Sequence, residues 1–163
     1  MNHHNNTILL HHFSPSEFGP NSHGRTEDWW PHMAPDVLVR LDVFRRLWGA
    51  PITVSGHPRA LGRRLGANGG SDHNVDRHGR VNCADLFPSG LRTQKDAIRA
   101  REIAEQIGFG SIGLYPHWSS PGLHLGVRKG HGGNRPMATW GAIRRNDQQT
   151  YVSWDEVLQH LME

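Results

Sequence analysis

Gly122-Leu123-His124-Leu125-Gly126-Val127-Arg128 alternates apolar side chains with other residue types along its whole length. A period of two marks a β-strand with one face buried. Leu123, Leu125 and Val127 fall on the core face, so His124 falls on the other and is expected to point into a cleft. A single strand histidine carries no chemistry by itself. Two further segments change its meaning: Gly69-Gly70-Ser71-Asp72-His73 and Cys83-Ala84-Asp85-Leu86. His73, Asp85 and His124 together offer two imidazoles and one carboxylate. That set suits a catalytic zinc, which takes three protein ligands and leaves a fourth position for water. Water bound there loses a proton near pH 7, which supplies a nucleophile at neutral pH.

Around these segments the chain reads as helices enclosing a small sheet. Pro35 suits a first helical turn, and Val37, Leu41, Phe44 and Trp48 repeat at helical spacing until Gly49 and Pro51 end the run. Ile52-Thr53-Val54 predicts a short strand, and the stretch from Ser55 to Gly90 reads as loop. Thr93 with Asp96 forms a capping-box pair opening a helix whose apolar face is Ala97, Ala100, Ile103, Ala104 and Ile107; Gly108 ends it. Ser111 to Tyr115 and Gly122 to Arg128 are strand candidates joined by a Pro-containing loop, and Ala138 to Ile143 suggests another. Ser153 with Glu156 caps a last short helix through Leu161, and Ser14 to Phe18 suits a short helix near the start. The predicted class is α+β, a small antiparallel sheet flanked by helices. Residues 1–33 read as an irregular N-terminal segment and 34–163 as the body of one domain.

Bulk properties exclude several alternatives. The chain has 163 residues, 36% of them hydrophobic, with 19 Gly and 10 Pro, and a mean hydropathy of −0.63. That length holds one core but not two. No apolar run approaches the roughly 18 residues needed to cross a bilayer. The first ten residues have no basic region and no long apolar stretch, so no secretory signal is expected and synthesis in the cytoplasm is. Cys83 is the sole cysteine, which excludes an internal disulfide and a cysteine-based zinc site. The net charge is +3, from 18 Lys+Arg against 15 Asp+Glu, without a basic block. A mixed solvated surface accounts for that balance, and neither nucleic acid nor membrane is an expected partner.

The ordered set of motifs resembles the zinc D-alanyl-D-alanine carboxypeptidases and murein endopeptidases, the LAS metallopeptidases, which have a hedgehog-like fold. The likeness runs from His12-Phe13-Ser14-Pro15-Ser16-Glu17-Phe18 to about Trp140. Ile52-Thr53-Val54-Ser55-Gly56-His57-Pro58-Arg59 is similar to the family's TSGYR segment. Ser71-Asp72-His73 is similar to its SxH motif and Ala84-Asp85 to its AxD motif. Gly110 to Tyr115 with Gly122-Leu123-His124-Leu125 is similar to the GxGxY…HxD end of its phage and bacterial branch.

The resemblance implies that His73, Asp85 and His124 hold Zn2+, that Arg59 polarises the substrate carbonyl, and that Ser71 steadies His73 or the substrate. Two departures accompany it. The family places its first histidine closer to the aspartate, whereas here residues 74–84 intervene. His78 has the shorter spacing and is a rival ligand; His73 is favoured because Ser71 precedes it. The family also draws its general base from beside the third ligand, where this chain has Pro121, Gly122 and Gly126. His117 is the nearest titratable replacement, with Asp76 and His78 as lesser candidates. The expected function is hydrolysis of peptide bonds in bacterial peptidoglycan, as a D,D-carboxypeptidase or an endopeptidase. The resemblance implies a phage setting, an endolysin or a virion-associated protein that reaches the wall after lysis or within the particle. The alternative is a catalytically degenerate component of a virion or tail, binding the wall or other virion proteins.

Overall fold

The computed structural model describes residues 10–127 and 137–163. Helix α1 (Pro35–Trp48) begins with proline in its first turn and turns Val37, Leu38, Leu41, Phe44 and Trp48 inward. Strand β1 (Ile52–Val54) follows. Helix α3 (Gln94–Ile107) is opened by the capping box, in which the Thr93 hydroxyl accepts from Asp96 N–H and the Asp96 carboxylate accepts from Thr93 N–H. Between β1 and α3 lie helix α2 (Val75–His78) and strand β2 (Cys83–Pro88). Strands β3 (Ser111–Tyr115), β4 (Gly122–Gly126), β5 (Ala138–Arg145) and β6 (Gln148–Val152) precede helix α4 (Trp154–Leu158).

The strands form one six-stranded sheet in the order β1-β2-β4-β3-β5-β6. One face packs on the helices. Leu86, Ile112, Leu114, Leu123 and Leu125 are fully buried there and join a core with Phe44 of α1 and Ala100 of α3. Burying each such leucine contributes about 2 kcal/mol relative to leaving it exposed. The N-terminal segment is irregular, apart from 3-10 turns at Pro15–Phe18 and Trp30–His32. It is nevertheless part of the same core through Phe13, Phe18, Trp29 and Met33.

The other face carries the polar residues. Direct cross-strand partners project from the same side, and the register pairs Asp85 with His124, His124 with Gly113, and Gly113 with Trp140. The residues two positions along each strand, including Cys83, Tyr115 and Ser111, belong to this face as well.

The structure corrects the sequence reading at several places. The stretch 55–90 contains β2, the second strand of the sheet, together with the short α2. Asp85 and the terminal Pro88 disguise β2, because charge and proline both argue against a buried strand. The sheet is mixed rather than antiparallel: β3 and β5 run parallel, with Ser111 opposite Ala138. Ser111 is also opposite Gly126, the last residue of β4. Strand β4 therefore ends, and β5 begins, at the level of Ser111. Strand β6 was not expected. It follows a two-residue turn at Asn146 and Asp147, both with positive φ (49° and 60°), the backbone that a tight hairpin requires. Helix α4 is capped by Ser153 as predicted, but it stops at Leu158 rather than Leu161. Arg128, expected at the end of β4, lies outside the described residues.

Candidate metal centre

His73, Asp85 and His124 converge. Asp85 and His124 are register partners on β2 and β4. His73 is brought to them by the loop before α2, which is fixed by backbone bonds from Arg63 N to His73 O (2.8 Å) and from Val75 N to Arg63 O (3.0 Å). The loop after β1 meets the same point, where Asp85 N–H donates to Ala60 O at 3.0 Å and Ser55 N–H to Asp85 O at 2.9 Å.

The donor atoms form a triangle. His73 Nε2 lies 3.2 Å from His124 Nδ1 and 3.4 Å from Asp85 Oδ1, and His124 Nδ1 lies 3.0 Å from Asp85 Oδ1. Tetrahedral donors about 2.0–2.1 Å from a zinc ion stand about 3.3–3.4 Å apart. The three atoms thus match the edges of one face of such a tetrahedron. The side chains are buried, with 4, 8 and 4% of His73, Asp85 and His124 exposed, yet all three line one open cavity of about 1330 Å3.

Outer contacts fix which ring atoms face the centre. His73 Nδ1–H donates to Leu61 O, which leaves Nε2 as the donor atom. His124 Nε2 approaches Asp72 Oδ2 at 3.8 Å and Ser111 Oγ at 3.5 Å, which leaves Nδ1 for the centre. Carbonyls and carboxylates in these positions orient metal-binding histidines generally. Ser71 acts on the backbone, accepting from His73 N–H at 3.2 Å.

Electrostatics favour a cation at the triangle. Burial pushes the His73 imidazole down, against the pull of Asp85, so its ring stays neutral. Burial works against charge on His124 too, but Asp72 and Asp85 outweigh it and raise His124 to about 9. Desolvation opposes ionisation of Asp85, yet His73 and His124 hold its carboxyl far below the usual carboxylate range. A metal ion at Nδ1 would take the place of the His124 proton between two carboxylates.

Cys83 was set aside as a ligand on the sequence, and the structure brings it into the group. Ligand atoms of His73, Cys83 and His124 all lie within 4.8 Å of one another, a buried set able to hold a metal ion. Strand β2 explains this, because Cys83 is two residues before Asp85 and shares its face. Burial first, then the charges of Asp85 and Asp72, push the thiol well above its usual pKa, so it stays protonated unless a metal binds it. The His73–Asp85–His124 triangle has edges of zinc-site length, and Cys83 offers the same two histidines a second choice of third ligand.

The remaining sequence candidates are placed as follows. His78 donates from Nε2 to Ser71 O at 3.1 Å and does not line the cavity; it holds the His73 loop instead of joining the triangle. Asp76 accepts from Gly66 N at 2.9 Å and lies 3.7 Å from Arg64. His117 donates from Nδ1 to Ala142 O on β5 at 2.9 Å and is not among the cavity-lining residues. The structure therefore does not bring the expected general base to the centre. Arg59 lines the cavity but is exposed, and Arg63, four residues on, is half-buried there.

Glycine shapes the surroundings of His124. A Cβ at Gly113 would stand 2.6 Å from the Trp140 ring, and the indole occupies that hollow with its centroid 5.1 Å from the His124 ring. Tyr115 extends the aromatic wall: it stacks on Trp118 at 4.1 Å and accepts from Trp140 Nε1–H at 3.0 Å. At Gly126, a Cβ would run into Ser111 Oγ and stand 2.9 Å from Cys83 Cβ. The position from which the resembled family draws an acid is thus filled by neighbouring side chains. Sequence reading missed Asp72, Ser111 and the Leu61 carbonyl. Only Asp72 left a signal, as the residue next to a candidate ligand.

Comparison of the chain with protein families, with curated proteins and with solved structures found no match.

Proposed function

We propose that this chain is a zinc-dependent peptidase of the LAS type, with the hedgehog-like fold, acting on peptide bonds of bacterial peptidoglycan. The observation that carries the reading is the triangle of His73 Nε2, Asp85 Oδ1 and His124 Nδ1, with edges of 3.0–3.4 Å, opening on a large cavity. The donor set fits zinc in number, type and spacing. When bound, zinc supplies a Lewis acid that polarises a carbonyl and activates water for attack. The chain's own residues do the rest. Leu61 O and Asp72 hold the two imidazoles in the required tautomers. The aromatic wall of Tyr115, Trp118 and Trp140 excludes water from one side of the cavity, which strengthens charge interactions within it. A phage endolysin or virion-associated setting is part of the proposal.

A second reading is favoured by Gly126 and His117. With the acid position filled by Ser111 and Cys83 and with His117 bonded to Ala142, the centre has a metal-binding set without the expected base. A component of a virion or tail that keeps the metal but not turnover fits those facts.

Metal analysis of the tag-free protein by mass spectrometry, beside Asp85→Ala, tests the metal step. About one zinc per chain, lost in the variant, supports the site, and release of peptides from purified peptidoglycan then separates the two readings. A wild type that takes up no zinc even when it is added would end the peptidase proposal.

A further inference from the structure

Beside Arg59, another arginine lines the cavity. Arg63 is half-buried and lines the cavity, and its Nε donates to Arg59 O at 3.0 Å. Among the described residues it forms no ion pair, whereas Arg64 and Arg101 each meet a carboxylate and buried Arg25 is satisfied by the carbonyls of Glu17, Gly19 and Ser55. Among the described residues its terminal amines donate to no protein acceptor. A partly desolvated guanidinium without an acceptor favours an anionic ligand, and its planar fork matches a carboxylate through two parallel hydrogen bonds.

The backbone fixes where that side chain begins. Arg63 N–H donates to His73 O, and Arg63 O accepts from Val75 N–H; Arg63 also forms a parallel bridge with Asn74. The backbone of residue 63 is locked to the loop that carries a metal-ligand candidate, so its side chain starts beside the centre. Arg59, the arginine that the resemblance selects, lines the same cavity but is exposed.

We propose that Arg63 is the specificity-determining residue of this cavity, holding the free carboxylate of a peptide whose adjacent amide lies at the His73–Asp85–His124 centre. This rests on the peptidase reading for the nature of the ligand and deepens it. A carboxylate anchor beside the centre selects peptides at their C-terminus, which is the carboxypeptidase mode of cleavage rather than the endopeptidase mode.

The test is binding, so it does not depend on turnover. Acetyl-D-alanyl-D-alanine and its C-terminal amide would be titrated calorimetrically into the full chain, as isolated and with zinc added. Wild type is expected to bind the acid about 10- to 100-fold more tightly than the amide, the range of a hydrogen bond to a charged group. Arg63→Gln is expected to abolish that preference and Arg63→Lys to retain part of it, while Arg59→Gln keeps it. The backbone bonds of residue 63 remain in both variants, and unchanged zinc content and melting temperature verify that the His73 loop is intact. Equal binding of acid and amide by wild type, no binding of either, or a preference surviving in Arg63→Gln overturns the proposal. Acid-selective binding through Arg63 without cleavage would leave this assignment standing and count against the peptidase reading. Cleavage indifferent to Arg63 would do the reverse.

Discussion

His73 Nε2 and His124 Nδ1 face each other at 3.2 Å, although 51 residues separate them in the chain. Each ring is turned by a partner on its far side, Leu61 O for one and Asp72 with Ser111 for the other. Both nitrogens also face Asp85 Oδ1, so a proton on His124 or a metal ion accounts for their approach. Zinc added to the purified chain is expected to raise its melting temperature. A ligand that binds only the folded state contributes about 4 kcal/mol at a thousandfold excess over its Kd. The gain should vanish with a chelator and in Asp85→Asn, as differential scanning fluorimetry can check.

His117→Ala is expected to leave zinc content unchanged, because the ring hydrogen-bonds to Ala142 O and does not line the cavity. Any hydrolysis of peptidoglycan should fall by far less than the 10²–10⁴-fold that a general base supplies. A loss of that full size would show that His117 swings into the cavity when substrate binds.

Gly126→Ala is expected to destabilise the fold by about 1–3 kcal/mol, the usual cost of overpacking, because its Cβ meets Ser111 Oγ and Cys83 Cβ. Combining it with Ser111→Gly removes one of the two obstacles and should return part of the loss. Urea unfolding of the two variants measures the difference. An undiminished Gly126→Ala would mean that β3 and β4 separate more readily than their register suggests.

The capping box of α3 gives a prediction away from the centre. Thr93→Ala is expected to cost about 1 kcal/mol. Hydrogen bonds from the Thr93 and Arg92 backbones, the Thr93 hydroxyl and the Arg99 charge hold the Asp96 carboxyl below its usual value of 3.8. Its contribution to stability is therefore fully present above that value and is lost as pH falls through the lower folded value. Asp96→Asn should be less stable than wild type at pH 7, with the gap closing in strong acid. Because Asp96 is only half-buried at the surface, the effect should be small and should shrink further in salt.

Much of the fold was legible because its elements carry local signals. Thr93 with Asp96, Pro35, and the alternation of Leu123, His124 and Leu125 were each sufficient to place an element. The centre was legible for a different reason: His73, Asp85 and His124 sit in short motifs that polar residues rarely form by chance. Strand β2 was hidden because the site itself breaks the pattern of a buried strand, putting Asp85 where an apolar residue belongs. Losing β2 also lost Cys83, whose place in the group follows from sharing a face with Asp85. Strand β6 was hidden by Gln148, Gln149 and Thr150, which show no apolar alternation, and its pairing depends on the left-handed backbone of Asn146 and Asp147. The roles of Leu61 O and Arg63 rest on tertiary contacts that no local pattern encodes.

The register that joins β2 to β4 sets the order in which the molecule can assemble. Asp85 and His124 are 39 residues apart and His73 and His124 are 51 apart, so no single helix or hairpin of the nascent chain contains the centre. Closing such distant pairs is slow compared with forming a helix. The helices α1 and α3 can form before the sheet does, and the donor triangle exists only once β4 has inserted between β2 and β3. Uptake of a metal ion would therefore report the last step of folding, and its rate would time the insertion of a single strand.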